Sequence, residues 1–85
     1  MSNLARIPDE ELDVPFLRPG KYRHYKGAVY QVTGVGLDTE SLEPVVIYRP
    51  THLSKVDFWV RPLAMFTENI IIDGLTTPRF EYIEE

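Results

Sequence analysis

The 85-residue chain contains no cysteine. No disulfide can staple it, no thiolate can hold a metal and no thiol can act as a nucleophile. No apolar run approaches the roughly 20 residues of a membrane span, and no basic-then-apolar stretch at the start reads as a signal peptide. Internal repeats and low-complexity tracts are absent, as is any helical periodicity longer than a few turns. The expectation is a single small cytoplasmic domain with a modest core, since a chain of this size buries only about 60–65% of its unfolded surface.

A broad basic face is also missing. The formal net charge is −4, with 9 basic against 13 acidic residues. Between positions 20 and 83, Lys21, Arg23, Lys26, Arg49, Lys55, Arg61 and Arg79 balance Asp38, Glu40, Glu43, Asp57, Glu68, Asp73 and Glu81. The acidic excess lies at the two ends. Nucleic-acid binders usually carry a basic surplus, so this balance disfavours nucleic acid and confines any anion site to a local patch.

Residues 1–19 read as an N-terminal arm, Pro-rich and acidic, and residues 20–85 as a single small β domain. In the arm, Pro8 followed by Asp9-Glu10-Glu11 suits the opening of a short helix that Pro15 stops. From Pro19-Gly20 onward the signal is strand. Tyr22–Tyr25 is extended, Lys26-Gly27 is a turn, and Ala28–Val35 carries the β-branched and aromatic residues of a pleated surface. Gly34 and Gly36 mark a bend or bulge. Val45–Arg49 is a strand bounded by Pro44 and Pro50, and Phe58–Arg61 is another that Pro62 ends. Leu63-Ala64-Met65-Phe66 reads as one helical or 3₁₀ turn plugging the core. Asn69–Ile72 leads into Asp73-Gly74, a strong hairpin turn. Pro78 interrupts the return limb, and Phe80–Ile83 alternates as a last strand. The pattern predicts an all-β fold, a small SH3-like, partly open barrel of five or six short antiparallel strands.

Four pieces recur together elsewhere: Gly20-Lys21-Tyr22-Arg23-His24-Tyr25-Lys26-Gly27, Val45-Val46-Ile47-Tyr48-Arg49, Trp59-Val60-Arg61-Pro62-Leu63 with Met65-Phe66, and Pro78-Arg79-Phe80. In this order and spacing the chain resembles the small bacterial family known as domain of unknown function 1653 over about residues 20–83. The resemblance implies a short, stand-alone bacterial protein and assigns no activity. The family commonly carries a His-Ser/Thr-Glu-Thr string after the strand ending at Val35. Here the matching stretch is Asp38-Thr39-Glu40-Ser41, so a role for that histidine does not carry over.

The residues present support few reaction types. Two histidines, His24 and His52, sit in unlike contexts, and Asp38 with Glu40 is thin evidence for a hard cation, so neither a metal nor a cofactor is expected. Ser2, Ser41 and Ser54 lack the turn that exposes a nucleophilic serine. Gly34-x-Gly36 has no following helix to complete a phosphate loop. His24 with Glu40 or Asp38 is the best acid–base combination. Arg49, Arg61 and Arg79 each lie beside aromatic or apolar strand residues and near a proline, and either pair with local acids such as Glu40 or Glu43 or offer a fork to an anion.

Most of Tyr22, Tyr25, Tyr30, Tyr48, Trp59, Phe66 and Phe80 must fill the core. Two or three left exposed beside arginine would form a binding groove. The leading expectation is therefore a non-enzymatic binding module for a peptide or small anionic ligand, using Trp59 and Arg61 with Tyr22, His24 and Arg49, and with Glu40 and Arg79 nearby. A small enzyme or enzyme subunit using His24 and Glu40, and an RNA-binding accessory domain, are the alternatives. Unpaired sheet edges also make a homodimer a reasonable expectation.

Overall fold

A computed structural model describes residues 7–85. Seven strands run β1 Gly20–His24, β2 Val29–Leu37, β3 Pro44–Pro50, β4 Trp59–Pro62, β5 Asn69–Ile72, β6 Leu75–Pro78 and β7 Phe80–Glu84, with the short helix α1 Leu63–Phe66 between β4 and β5. Five of them form one antiparallel sheet in the order β4-β3-β2-β1-β7, and β5-β6 form a separate two-stranded sheet. The mainly β expectation holds, and the large sheet does not close into a barrel. The count is seven rather than five or six because Pro78 ends the return limb of the hairpin instead of breaking it. It pairs there with Asn69.

Prolines mark the strand limits, since each lacks the N–H that a central ladder needs. Pro44 opens β3, Pro50 closes it and Pro62 closes β4. The acidic stretch after Pro8 forms only a 3₁₀ turn, Asp9–Glu11, with no side-chain cap. The Asp73-Gly74 turn has positive φ at both residues (50° and 78°), the two-residue hairpin geometry that suits the right-handed twist of strands. Its hairpin leaves Ile71 and Leu75 largely exposed.

β2 organises the large sheet. Its first half pairs with β1, from Val29 opposite Arg23 to Val32 opposite Gly20, and nearly its whole length pairs with β3. The register shifts between Val32 and Gly34, a bulge where the glycines predicted one. Because side chains alternate along a strand, the pairings place Tyr22, His24, Tyr30, Val32, Tyr48, Val46 and Phe80 on one face. Trp59 opposite Tyr48 and Arg61 opposite Val46 continue that face onto β4.

The core on this face is mostly aromatic. Tyr22, Val32, Val46, Tyr48, Phe66 and Phe80 are buried, and Leu17, Tyr30, Leu63 and Tyr82 pack around them. Phe66, only 1% exposed, stacks on Phe80 with centroids 4.0 Å apart and planes 8° from parallel. Tyr22 and Tyr48 meet Phe66 edge-on at 5.5 and 5.4 Å. Pro62 starts α1, and Thr67 ends it by donating both its backbone N–H and its hydroxyl to the Leu63 carbonyl. That single turn is what drives Phe66 into the sheet.

The arm ends against the other end of the core. The Tyr22 hydroxyl donates to the Arg18 carbonyl at 2.8 Å, and the Arg18 guanidinium lies 4.1 Å over the Tyr82 ring. Gly20 then starts β1 at φ 137°, where a Cβ would stand 2.7 Å from the Glu84 carbonyl oxygen. Gly20→Ala should therefore destabilise the domain by more than about 1 kcal/mol in urea unfolding, because both the dihedral and the contact forbid a methyl. Phe66→Ala should cost about 3–5 kcal/mol, a large share of the stability of so small a domain.

Candidate functional site

The sheet face that carries the core does not end at the core. Beyond Tyr48 and Phe80 it opens into a recess of about 320 Å³, lined by His24, Lys26, Ala28, Tyr30, Tyr48, Trp59, Arg61 and Phe80. The volume is in the range that small ligands occupy. Three pieces of chain make it: the end of β1 with its turn, the start of β2, and the edge strand β4. Its floor is the core itself. Tyr48 and Phe80 present one side to Phe66 and the other to the recess.

The tight turn after β1 supplies the first wall. The His24 N–H donates to the Ala28 carbonyl at 2.8 Å and the Gly27 N–H to the His24 carbonyl at 2.7 Å, with Gly27 at φ 112°. The Lys26 backbone N–H donates to His24 Nδ1 at 3.1 Å. With Nδ1 accepting, the neutral ring carries its hydrogen on Nε2. His24 also rests against Tyr25 at 4.4 Å and Phe80 at 4.9 Å between ring centroids.

β4 supplies the opposite wall. Trp59, 47% exposed, and the half-buried Arg61 are two residues apart and share the core-facing side. The Arg61 guanidinium sits 5.7 Å over the Phe80 ring, within cation–π range, and its Nε donates a long 3.4 Å bond to the Tyr48 hydroxyl. Among the described residues no carboxylate forms an ion pair with Arg61; the ion pairs are Arg18–Glu85, Lys21–Glu84 and Arg79–Glu68.

The electrostatics follow from that arrangement. The pKa of His24 is lowered, first by burial and then by the nearby positive charges of Arg61, Lys26 and Arg79. Glu68 pairs with Arg79, but among the described residues no acid pairs with Arg61 or Lys26. Burial likewise raises the pKa of Tyr22, whose hydroxyl is already committed to Arg18.

Of the residues expected at a site, the recess gathers His24, Trp59 and Arg61 and leaves the rest elsewhere. Tyr22 lies on the same face but is buried within the core. Arg49 pairs with Gln31 on the opposite face and lines a shallow depression with Phe58 and Thr33. Arg79 is taken up by Glu68: its Nε donates to Oε1 at 3.1 Å, and Nη2 closes on the same oxygen. The three arginines therefore do not converge.

Glu40 follows the far end of β2, whereas His24 lies beside its start. The nine-residue strand separates them by roughly 25 Å. They cannot act on one atom, which removes the acid–base pair. The loop around Glu40 is built for another purpose. Asp38 Oδ1 accepts from the N–H groups of Glu40 at 2.8 Å and Ser41 at 3.0 Å, and these bonds lower the pKa of Asp38. Asp38 closes the turn in which Leu42 takes a φ of 61°. Among the described residues no cluster of His, Asp and Glu has the arrangement of a metal site, and no helix is long and apolar enough to cross a membrane.

Lys26, Tyr30, Tyr48 and Phe80 belong to the recess although the sequence reading assigned none of them to a site. Lys26 was signalled by its place two residues after His24 in a glycine turn. The three rings were indistinguishable from core because they are core on one side.

His24 gives a direct check. Its folded-state pKa lies below the ordinary value of 6.5. As pH falls below 6.5 the unfolded chain takes up a proton that the folded chain resists, so stability is lost through that window. In proton NMR His24 should titrate below the usual imidazole range, and Arg61→Gln should bring its pKa part of the way back up.

Comparison with known proteins agrees with this architecture. No curated protein matches the chain. The crystal structure of a DUF1653 protein from Bordetella bronchiseptica is similar to it, with a TM-score of 0.76 and 33% sequence identity over 81% of this chain and 90% of that one. The family model described as "Protein of unknown function (DUF1653)" matches residues 20–82, which takes in all of β1 to β6 and most of β7. The chain belongs to the DUF1653 family.

Proposed function

We propose that this protein is a non-enzymatic binding module whose site is the recess between β4 and the β1–β2 turn, and that it holds an anionic group carried by a small molecule or a peptide. The observation that carries this reading is Arg61. It lies in an aromatic-walled recess with one long bond to Tyr48 and no facing carboxylate. A guanidinium has five N–H donors, so one bond to Tyr48 leaves most of its capacity for a ligand. Arginine beside aromatic faces suits a planar anion, or an anion attached to a flat or apolar body.

Two physical points support a binding role over a catalytic one. His24 is surrounded by cations, and its distant carboxylate partner leaves it without an orienting acid. Trp59 is half exposed at a sheet edge, where a large ring has no packing task but forms a ready wall for a ligand.

Trp59 is the sole tryptophan in the chain, so its fluorescence reports on the site. Titration with a panel of aromatic carboxylates, phosphates and acidic peptides should change that emission saturably for the anionic members and not for neutral analogues. Trp59→Ala and Arg61→Ala should abolish binding, followed by NMR in the absence of the fluorophore, while leaving the melting temperature within about 5 °C of the parent. Unfolding of both variants would make these residues part of the core and end the proposal. Binding to single-stranded RNA with a steep salt dependence would instead support the nucleic-acid alternative.

A further inference from the structure

Resting on that reading of the recess, we infer that its anion is a phosphate, inorganic or as a monoester, with Arg61, Lys26 and His24 as the three donors and Trp59 and Tyr30 flanking the organic part. The charge in the recess selects among anions. With His24 neutral, Arg61 and Lys26 supply two positive charges, and no lining residue is acidic. A carboxylate would leave one of them uncompensated. A phosphate monoester carries about −1.5 to −2 at pH 7 and matches both.

The chemistry of the donors points the same way. Arg61 offers a planar fork and Lys26 a point charge, a pairing suited to a tetrahedral group with several oxygens. The backbone bond from Lys26 N–H to His24 Nδ1 leaves Nε2–H as the third donor. The charges that act on His24 are Arg61 from β4, Lys26 from the turn, and Arg79 from the β6–β7 junction, where Glu68 holds it. Glu81, paired across the strands with Arg23, does not line the recess but borders with Arg23 a second, smaller depression that His24 also touches. Uncharged rings complete the surroundings, with Tyr25 and Phe80 against the imidazole. A dianion placed among these cations reverses the field at His24, so binding must raise its proton affinity by linkage.

The experiment compares phenyl phosphate, inorganic phosphate, benzoate and phenol on the full chain at constant ionic strength, following Trp59 emission and the ring protons of His24. Phenyl phosphate should bind at least about tenfold more tightly than benzoate, and phenol should not bind. The His24 pKa should rise on saturation with phenyl phosphate. Arg61→Gln should weaken phenyl phosphate by about tenfold or more, and the exposed Lys26→Gln, which cannot disturb the core, by a smaller factor. Equal affinity for benzoate, or a phosphate response untouched by Arg61→Gln and Lys26→Gln, would overturn the phosphate assignment and leave the binding module standing. Silence of Trp59 and His24 toward all four probes, and toward the acidic peptides, would overturn both.

Discussion

The stack of Phe66 on Phe80 is the contact on which the rest of this molecule depends. α1 is a single turn and could not stand alone in water. β7 is an edge strand with one deeply buried ring. Each is held by the other, and Tyr22 and Tyr48 close on the pair from β1 and β3. The core is thus a cluster of rings, not an interleaving of aliphatic layers. Rings suit this architecture because an open five-stranded sheet has no second sheet of comparable size to pack against, and a ring covers more area per residue than a branched aliphatic chain.

The same cluster explains why the recess exists where it does. Tyr48 and Phe80 form a rigid floor, since their positions are set from below by Phe66. The walls come from a hydrogen-bonded glycine turn on one side and a proline-terminated edge strand on the other. Ala28, the smallest lining side chain, leaves room between them. A preformed recess lowers the ordering cost of holding a small ligand. Arg61 and Lys26 sit on the walls, Trp59 stands beside Arg61 on β4, and Tyr48 and Phe80 make the floor.

Much of this was legible in the residues. Prolines 44, 50 and 62 bounded strands because they cannot join a central ladder, and Asp73-Gly74 specified its hairpin through positive φ. Gly34 and Gly36 announced the bulge in β2. Alternation puts Trp59 and Arg61 on one side of β4. What alternation could not give was depth. Tyr22 and His24 share a face by the same rule, yet one is core and the other lines the recess, and only the position of Phe66 decides between them. The three arginines looked alike in sequence because each adjoins a ring and lies near a proline. They separate in space because Arg49 falls on the odd side of β3, Arg79 meets an acid eleven residues before it, and Arg61 meets none. Glu40 was paired with His24 on chemistry alone. The length of β2 makes that pairing impossible, and length carries no signal in a residue's type.

The first and last strands are neighbours, with Tyr22 opposite Tyr82 and His24 opposite Phe80. On a ribosome, where the chain emerges from its N-terminus, this arrangement has a consequence for timing. β1 to β4 can pair as they appear, but Phe80 lies on β7, the last strand of the sheet to emerge. Until it arrives, Phe66 has no stacking partner and Tyr22 has an open flank. The domain therefore completes its core only once β7 has emerged, in one late step of long-range closure. The aromatic face of an unfinished chain stays wet until then, and a nascent chain stalled short of β7 would present those rings to whatever binds unfolded protein.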